Sequence, residues 1–303
     1  MAATPATHAH AAPSAADLQA RLDQEWNQLE PVIEQYDALH DALAANQARA
    51  RQLEERIRPL ALQVDVVRTQ ITAISVQMYT DGPVSALNAL LTSGSPDIFA
   101  DRLTLLDQVA RDQRDQIASA VRLKARYDEQ KRPLDTLIAE QARQQADLTA
   151  KKQRIEAEIT RLQALARQAY GTTPGSLRLG ACPSGTTVDR GFTAARWACR
   201  QIGKRYVYAT AGPNTFDCSG LTMAAWASVG VALPHNAYQQ SRVVTAITRT
   251  QLRPGDLVFY YSDVHHVGMY VGGGLIVHAP NSNDVVRMAR LDIAPIAGYG
   301  RPG

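Results

Sequence analysis

Three residues in the last third of this 303-residue chain could do nucleophilic chemistry together: Cys218, His266 and His278. Phe216-Asp217-Cys218-Ser219-Gly220-Leu221 leads directly into residues 222–227, a run read as helix. Cys218 therefore falls at or inside a first helical turn, where unpaired backbone N–H groups and the helix dipole favour a thiolate. A single cysteine at a helix start is more often an inert buried thiol, so the two histidines decide the reading. Residues 264–271 and 275–279 read as strands joined by Gly272-Gly273-Gly274. The midpoint between His266 and His278 is Gly272, which lets the two rings meet across the strands. A thiol, an imidazole and a polar group that orients the imidazole make an activated nucleophile. In that arrangement His266 takes the thiol proton and returns it to a leaving amine. His278 holds one nitrogen of His266 so that the other faces Cys218.

The neighbours have plainer expectations. Asp217 is expected to cap the helix that Cys218 opens, with substrate contact as its second role. Ser219 could donate a hydrogen bond near the site. His235, after Leu233-Pro234, either caps the next helix or lines the cleft. His265 faces opposite to His266 on a strand and is expected to be exposed and inert. Cys218, His266 and His278 lack the spacing of metal-ligand pairs, so neither a metal nor any other cofactor is expected.

These residues sit in a part of the chain with its own composition. All three cysteines and 14 of the 19 glycines lie beyond position 180. Residues 181–303 carry 11 basic and 6 acidic side chains and no Glu, whereas residues 1–180 carry 21 and 23. Two different objects share the chain. The overall charge of +3 is too small to argue for nucleic acid, and no partner of that kind is expected. No apolar run reaches the roughly 18 residues needed to cross a bilayer.

The expected organisation begins with a disordered leader over residues 1–16. A helical coiled-coil hairpin follows over 17–170, with an apolar tip at 80–100, then a Gly/Pro/Ser/Thr linker over 171–187 and a small α+β domain over 188–303. The first arm carries apolar residues at 3/4 spacing, from Leu18, Leu22, Trp26, Leu29 and Ile33 onward. The second arm carries Leu103, Leu106, Val109, Ile117, Val121, Leu134, Ile138, Leu148, Ile155 and Leu162 in the same way. Pro31 and Pro59 are expected to kink the first arm, and Asp81-Gly82-Pro83 to end it. Ser95-Pro96-Asp97 starts the second, with Pro96 at the first helical position. Leu87, Leu90, Leu91, Ile98 and Phe99 are many large apolar residues for a hairpin tip; they either fold back locally or form a docking surface for a partner. The helical arms contain no ligand cluster or paired carboxylates that would give them chemistry of their own.

At its chemical residues the chain resembles the NlpC/P60 family of cysteine peptidases, papain-like in fold and active on cell-wall peptides. The resemblance covers about residues 190–301. It rests on G-K-R-Y-V-Y (203–208), F-D-C-S-G-L (216–221), L-P-H (233–235), R-P-G-D-L-V-F (253–259), H-V-G-M-Y-V-G (266–272) and V-H-A-P (277–280). It implies that Cys218 is the nucleophile, His266 the base and His278 the third residue, and that Tyr206 lines the site. The family usually has Trp-Gly where this chain has Tyr208-Ala209. The hairpin is similar to coiled-coil regions of actinobacterial wall hydrolases of the Rip type. The implied activity is hydrolysis of a peptidoglycan stem peptide at the γ-D-glutamyl–diaminopimelate bond, with the Cys218 backbone N–H holding the oxyanion. The implied partner of the tip is a division-associated ABC-type membrane complex. Such an enzyme is secreted or wall-associated, with its export signal taken to have been removed ahead of Met1. A disulfide between Cys182 and Cys199 would then pin the linker's end to the domain. The competing reading is a non-catalytic coiled-coil scaffold carrying an enzyme-like domain. The hairpin, or residues near the linker, is expected to cover the Cys218 cleft.

Overall fold

The computed structural model describes residues 14–91, 96–170, 179–184 and 189–303. Residues 1–13 and most of the 171–187 linker therefore lie outside the described residues. Helix α1 spans Ala15–Leu91 and helix α2 spans Pro96–Tyr170. Ala15 starts two residues inside the expected leader, and the Ser14 amide and hydroxyl both bond to the Asp17 carboxylate, closing the first turn. Neither Pro31, Pro59 nor Asp81-Gly82-Pro83 ends α1, contrary to the expected stop at residue 81. Each proline removes one i→i−4 hydrogen bond, a cost that a long helix with neighbours on both sides can absorb.

The chain divides into two compact units, one built from residues 1–43 and 144–303 and the other from Ala44 to Arg143. In the second unit α1 and α2 run antiparallel. Among the described residues its buried cluster is Ala50, Ile57 and Leu134 with Leu53 alongside, and Ala120 is buried apart from it. Leu103, Leu106, Val109, Ile117, Val121 and Ile138, expected in the seam, are exposed. A 3/4 pattern buries side chains only where both helices bring apolar residues to the same level, and here a groove lined by Val64, Ile71 and Tyr127 opens between the arms.

In the first unit the helical pair is well packed. Leu22, Trp26, Leu29 and Ile33 of α1 share a buried cluster with Ile155 and Leu162 of α2. Arg161 of α2 pairs with Glu25 of α1 at 2.6 Å. The same cluster continues without a break into the α+β part, through Tyr206, Phe216, Cys218 and Leu221.

That part contains helices α3 (Arg190–Cys199), α4 (Cys218–Ala227) and α5 (Ala237–Val243). Two short parallel strands, β1 (Arg205–Tyr206) and β2 (Thr215–Phe216), lead into α4. The main sheet comprises β3 (Thr245–Ile247), β4 (Leu257–Tyr260), β5 (His266–Gly272), β6 (Leu275–His278), β7 (Arg287–Arg290) and β8 (Ile296–Arg301). It is antiparallel throughout, in the order β3-β8-β4-β5-β6-β7. β4 is buried at all four positions, as expected of a strand covered on both faces. Arg301 clamps β8 to the entry of β4 through two bonds to the Asp256 carboxylate, at 2.8 and 2.7 Å.

Ala209, in the turn between β1 and β2, has φ +56°. A Cβ makes that left-handed conformation costly by roughly 1–2 kcal/mol, while glycine forfeits about 0.5–1 kcal/mol of chain entropy. Ala209→Gly is therefore expected to raise stability by about 0.5–1 kcal/mol. A higher urea midpoint at unchanged slope is the measurement, and an unchanged or lower midpoint contradicts it.

Candidate active site

Asp217 caps α4 in an extended conformation. Its Oδ1 accepts the Gly220 N–H at 2.7 Å, and its Oδ2 accepts the Thr210 N–H at 2.8 Å. Gly220 is required here, because a Cβ would collide with the Thr210 carbonyl oxygen. These contacts place Cys218 as the first residue of α4, fully inside the cluster at 1% exposure.

His266 opens β5 and His278 closes β6. His266 Nε2 lies 2.9 Å from His278 Nδ1, with the rings edge to face. The rings meet across the two strands as expected, although the residues are not directly opposite. Met269 faces Val277, so the ladder carries His278 opposite Gly268, and a register shift at the turn absorbs the difference. The rings meet on the diagonal, which long or flat side chains can span. The Cys218 sulfur and a His266 ring nitrogen lie within 4.8 Å of one another.

The remaining partners of this pair come from α1. Glu30, Glu34, Asp37 and Asp41 follow at spacings of four, three and four, which aligns them on one face of a helix. Glu30 Oε1 lies 2.5 Å from His266 Nδ1. Glu34 Oε1 accepts from the Cys218 thiol at 3.4 Å and from the Ser219 hydroxyl at 3.0 Å. Its second oxygen takes the Ala237 N–H, and its backbone carbonyl accepts from Asn236 Nδ2 at 2.8 Å. Asp41 accepts the His235 N–H at 3.1 Å. Trp26 and Tyr36, on the same stretch of α1, meet Tyr206 and Tyr208 edge-on at 5.6 and 5.8 Å. Tyr208 donates to Glu156 of α2 at 3.2 Å. The arms were expected to hold no carboxylates with chemistry of their own; these four instead meet the groups of the α+β part. The 4-3-4 acidic spacing beside the apolar stripe was the available signal.

Burial controls the electrostatics. It pushes the Glu34 carboxyl up to about 8, with Asp217 and Glu30 adding to the rise against the Ala237 and Ser219 hydrogen bonds. It pushes Asp37 up to about 11, helped by Asp217, Glu34 and Asp41. Burial and then the charge of Glu34 hold the Cys218 thiol well above its usual range. A thiolate favoured by the helix start is therefore not what this arrangement contains. Burial, then His266 and Arg287, keep His278 well below the usual histidine range, so it is neutral. Burial opposes the charge on His235, but Asp217 outweighs it and raises that ring.

The other expected residues fall as follows. Tyr206 is buried, and its hydroxyl has no hydrogen-bond partner among the described residues. Ser219 points at Glu34. His235 does not cap α5, a role taken by Asn236; it turns its Nε2 to both Asp217 oxygens, at 2.9 Å each. His265 is buried rather than exposed: it stacks on Tyr261 at 4.1 Å, bonds Asp263 and lies 3.9 Å from Glu30 of α1, which covers a position that sequence alternation leaves to solvent. Cys182 and Cys199 form a disulfide with Cα atoms 6.1 Å apart. Ile98 and Phe99 are exposed, while the side chains of Leu87, Leu90 and Leu91 lie outside the described residues.

With two cysteines bridged, one thiol per chain should react in denaturant without reductant, and three would rule out the bridge. At pH 9, where Glu34 is ionised, Glu34→Ala in the native chain should speed modification of Cys218 by about tenfold or more, since it removes the charge that holds the thiol protonated. An unchanged rate would sink that account.

Residues 203–296, which hold Cys218, His266 and His278, match the NlpC/P60 family model. A "Probable endopeptidase" of Mycobacterium tuberculosis is 26% identical over 91% of this chain and 86% of its own length. A "Probable endopeptidase" of Corynebacterium glutamicum is 36% identical over 42% of this chain and 59% of its own. Among solved structures, NlpC2 of Trichomonas vaginalis aligns at 30% identity and a TM-score of 0.37, over 40% of this chain and about half (49%) of that one. The α+β part of this chain belongs to the NlpC/P60 family of cysteine endopeptidases.

Proposed function

We propose that this protein is a peptidoglycan hydrolase that cleaves stem peptides at the γ-D-glutamyl–diaminopimelate bond, and that α1 holds it latent. The observation that carries the chemistry is the 2.9 Å contact of His266 with neutral His278, beside a cysteine at the start of α4. In the working enzyme His266 removes the Cys218 proton and the thiolate adds to the scissile carbonyl. The oxyanion is held by the Cys218 backbone N–H. Collapse expels the amine, which takes its proton from His266, and leaves a thioester. Water, deprotonated by the same imidazole, then releases the new carboxylate and the thiol. His278 positions the ring throughout.

The latent state follows from who occupies the reactive atoms. The Glu30 and Glu34 carboxylates bond to His266 and to the Cys218 thiol, and Trp26, Leu29 and Ile33 bury the same side of the cleft. Substrate can enter only where this stretch of α1 has left. The protein is proposed to act outside the membrane, at the wall; among the described residues no helix is long and apolar enough to cross a bilayer. The exposed Ile98 and Phe99 are the described part of the proposed docking tip for a division-associated ABC-type membrane complex.

Cleavage of defined muropeptides, with products identified by mass, tests both halves. Cys218→Ala should lower the rate by at least about 10³-fold. If it leaves cleavage unchanged, the thiol mechanism fails, and if neither chain cleaves, the scaffold reading replaces the enzyme. Glu30→Ala with Glu34→Ala should raise the full chain's rate by about tenfold or more, the effect of weakening the closed state by roughly 1.4 kcal/mol. A rate no higher than that of the unaltered chain removes the latch.

A further inference from the structure

Below the thiol, a second set of groups from α1 and the α+β part meets in the interior. Asp37 of α1, Asp217 and His235 each offer one ligand atom, and these atoms lie within 4.8 Å of one another. All three belong to the same compact unit. Asp37 is 1% exposed, and neither of its carboxylate oxygens has a hydrogen-bond partner among the described residues. A buried carboxylate with no donor costs several kcal/mol unless a proton or a cation meets it. Among the described residues, its ion-pair partner is His235 Nε2, at 4.0 Å and already turned to Asp217.

We propose that Asp37, Asp217 and His235 form a binding site for a divalent transition-metal ion of the zinc class, which fastens α1 over the cleft. Two carboxylates balance a doubly charged ion, and an imidazole selects the zinc class over magnesium or calcium. Ligand atoms about 2.1 Å from a tetrahedral ion stand about 3.4 Å apart. The His235 Nε2 separations of 2.9 Å from Asp217 and 4.0 Å from Asp37 bracket that value. The outer shell of Asp217 is built by the Thr210 and Gly220 amides, and Asp41 accepts the backbone N–H of His235, which holds the segment that carries the ring. A second triple, Glu30, Cys218 and His266, also meets the spacing. Its imidazole is already bonded to Glu30 and its thiol to Glu34, and no Glu30 oxygen is among the buried atoms left without a partner.

The regulatory meaning of the ion rests on the latch reading, but its binding does not. Full-length Cys218→Ser, stripped with chelator, removes the competing thiol. Calorimetric titration with Zn2+ should show one equivalent bound, with Mg2+ giving at least about a hundredfold weaker signal. Asp37→Asn in that background should weaken Zn2+ at least tenfold. It should also abolish the Zn2+-induced rise in the unfolding midpoint, while circular dichroism reports the fold. His235→Gln should do the same. No binding, or equal affinity in the Asp37→Asn chain, overturns the site. A chain that is inactive on muropeptides but binds no zinc defeats the metal alone. One that cleaves freely yet binds zinc defeats the latch alone.

Discussion

The structure turns on one constraint: a row of carboxylates on α1 is buried against the groups that would do the chemistry. Glu30, Glu34 and Asp37 are each under 5% exposed. Charges taken out of water must find partners or protons. Glu34 takes the thiol, a serine and an amide, and Glu30 takes the imidazole. The apolar neighbours Trp26, Leu29 and Ile33 supply the burial that makes these pairings matter.

Magnitudes decide the state of Cys218. A helix start favours an anion by about 0.3–1 kcal/mol, up to about 2 in sheltered geometry. Burying an anion beside a second negative charge costs several kcal/mol. Burial wins, so the thiol keeps its proton while α1 is seated. The same residues become a helix-start cysteine beside an oriented imidazole once that stretch of α1 is gone. On the proposed latch, the chemistry is held off by position alone, with no change to the reactive side chains.

Much of this was legible in the order of residues. The Asp217 cap, the helix beginning at Cys218, the glycine turn between two histidine-bearing strands and the two long arms all follow from local rules of capping, pleating and periodicity. Other features were not. Proline and glycine at 81–83 look like a stop, yet α1 continues, since termination depends on what the next turn can pack against. The seam predicted along Leu103 to Val121 is exposed, because periodicity marks a face without saying whether a partner reaches it. His265 was expected in solvent and lies under α1.

The sequence by itself determined the family, the local placement of Cys218, His266 and His278 and the two-part composition, because each is written in short-range patterns: F-D-C-S-G-L, H-V-G-M-Y-V-G, and apolar residues at 3/4 spacing. Only the tertiary structure decided what faces the active cysteine. Glu34 and Cys218 are 184 positions apart, and no local rule links them. Four acidic residues on a helix face ordinarily read as a solvated surface. They become partners of a thiol and two histidines because the adjoining stripe of Trp26, Leu29 and Ile33 is buried in one cluster with Ile155 and Leu162 of α2 and with Tyr206, Cys218 and Leu221 of the cleft.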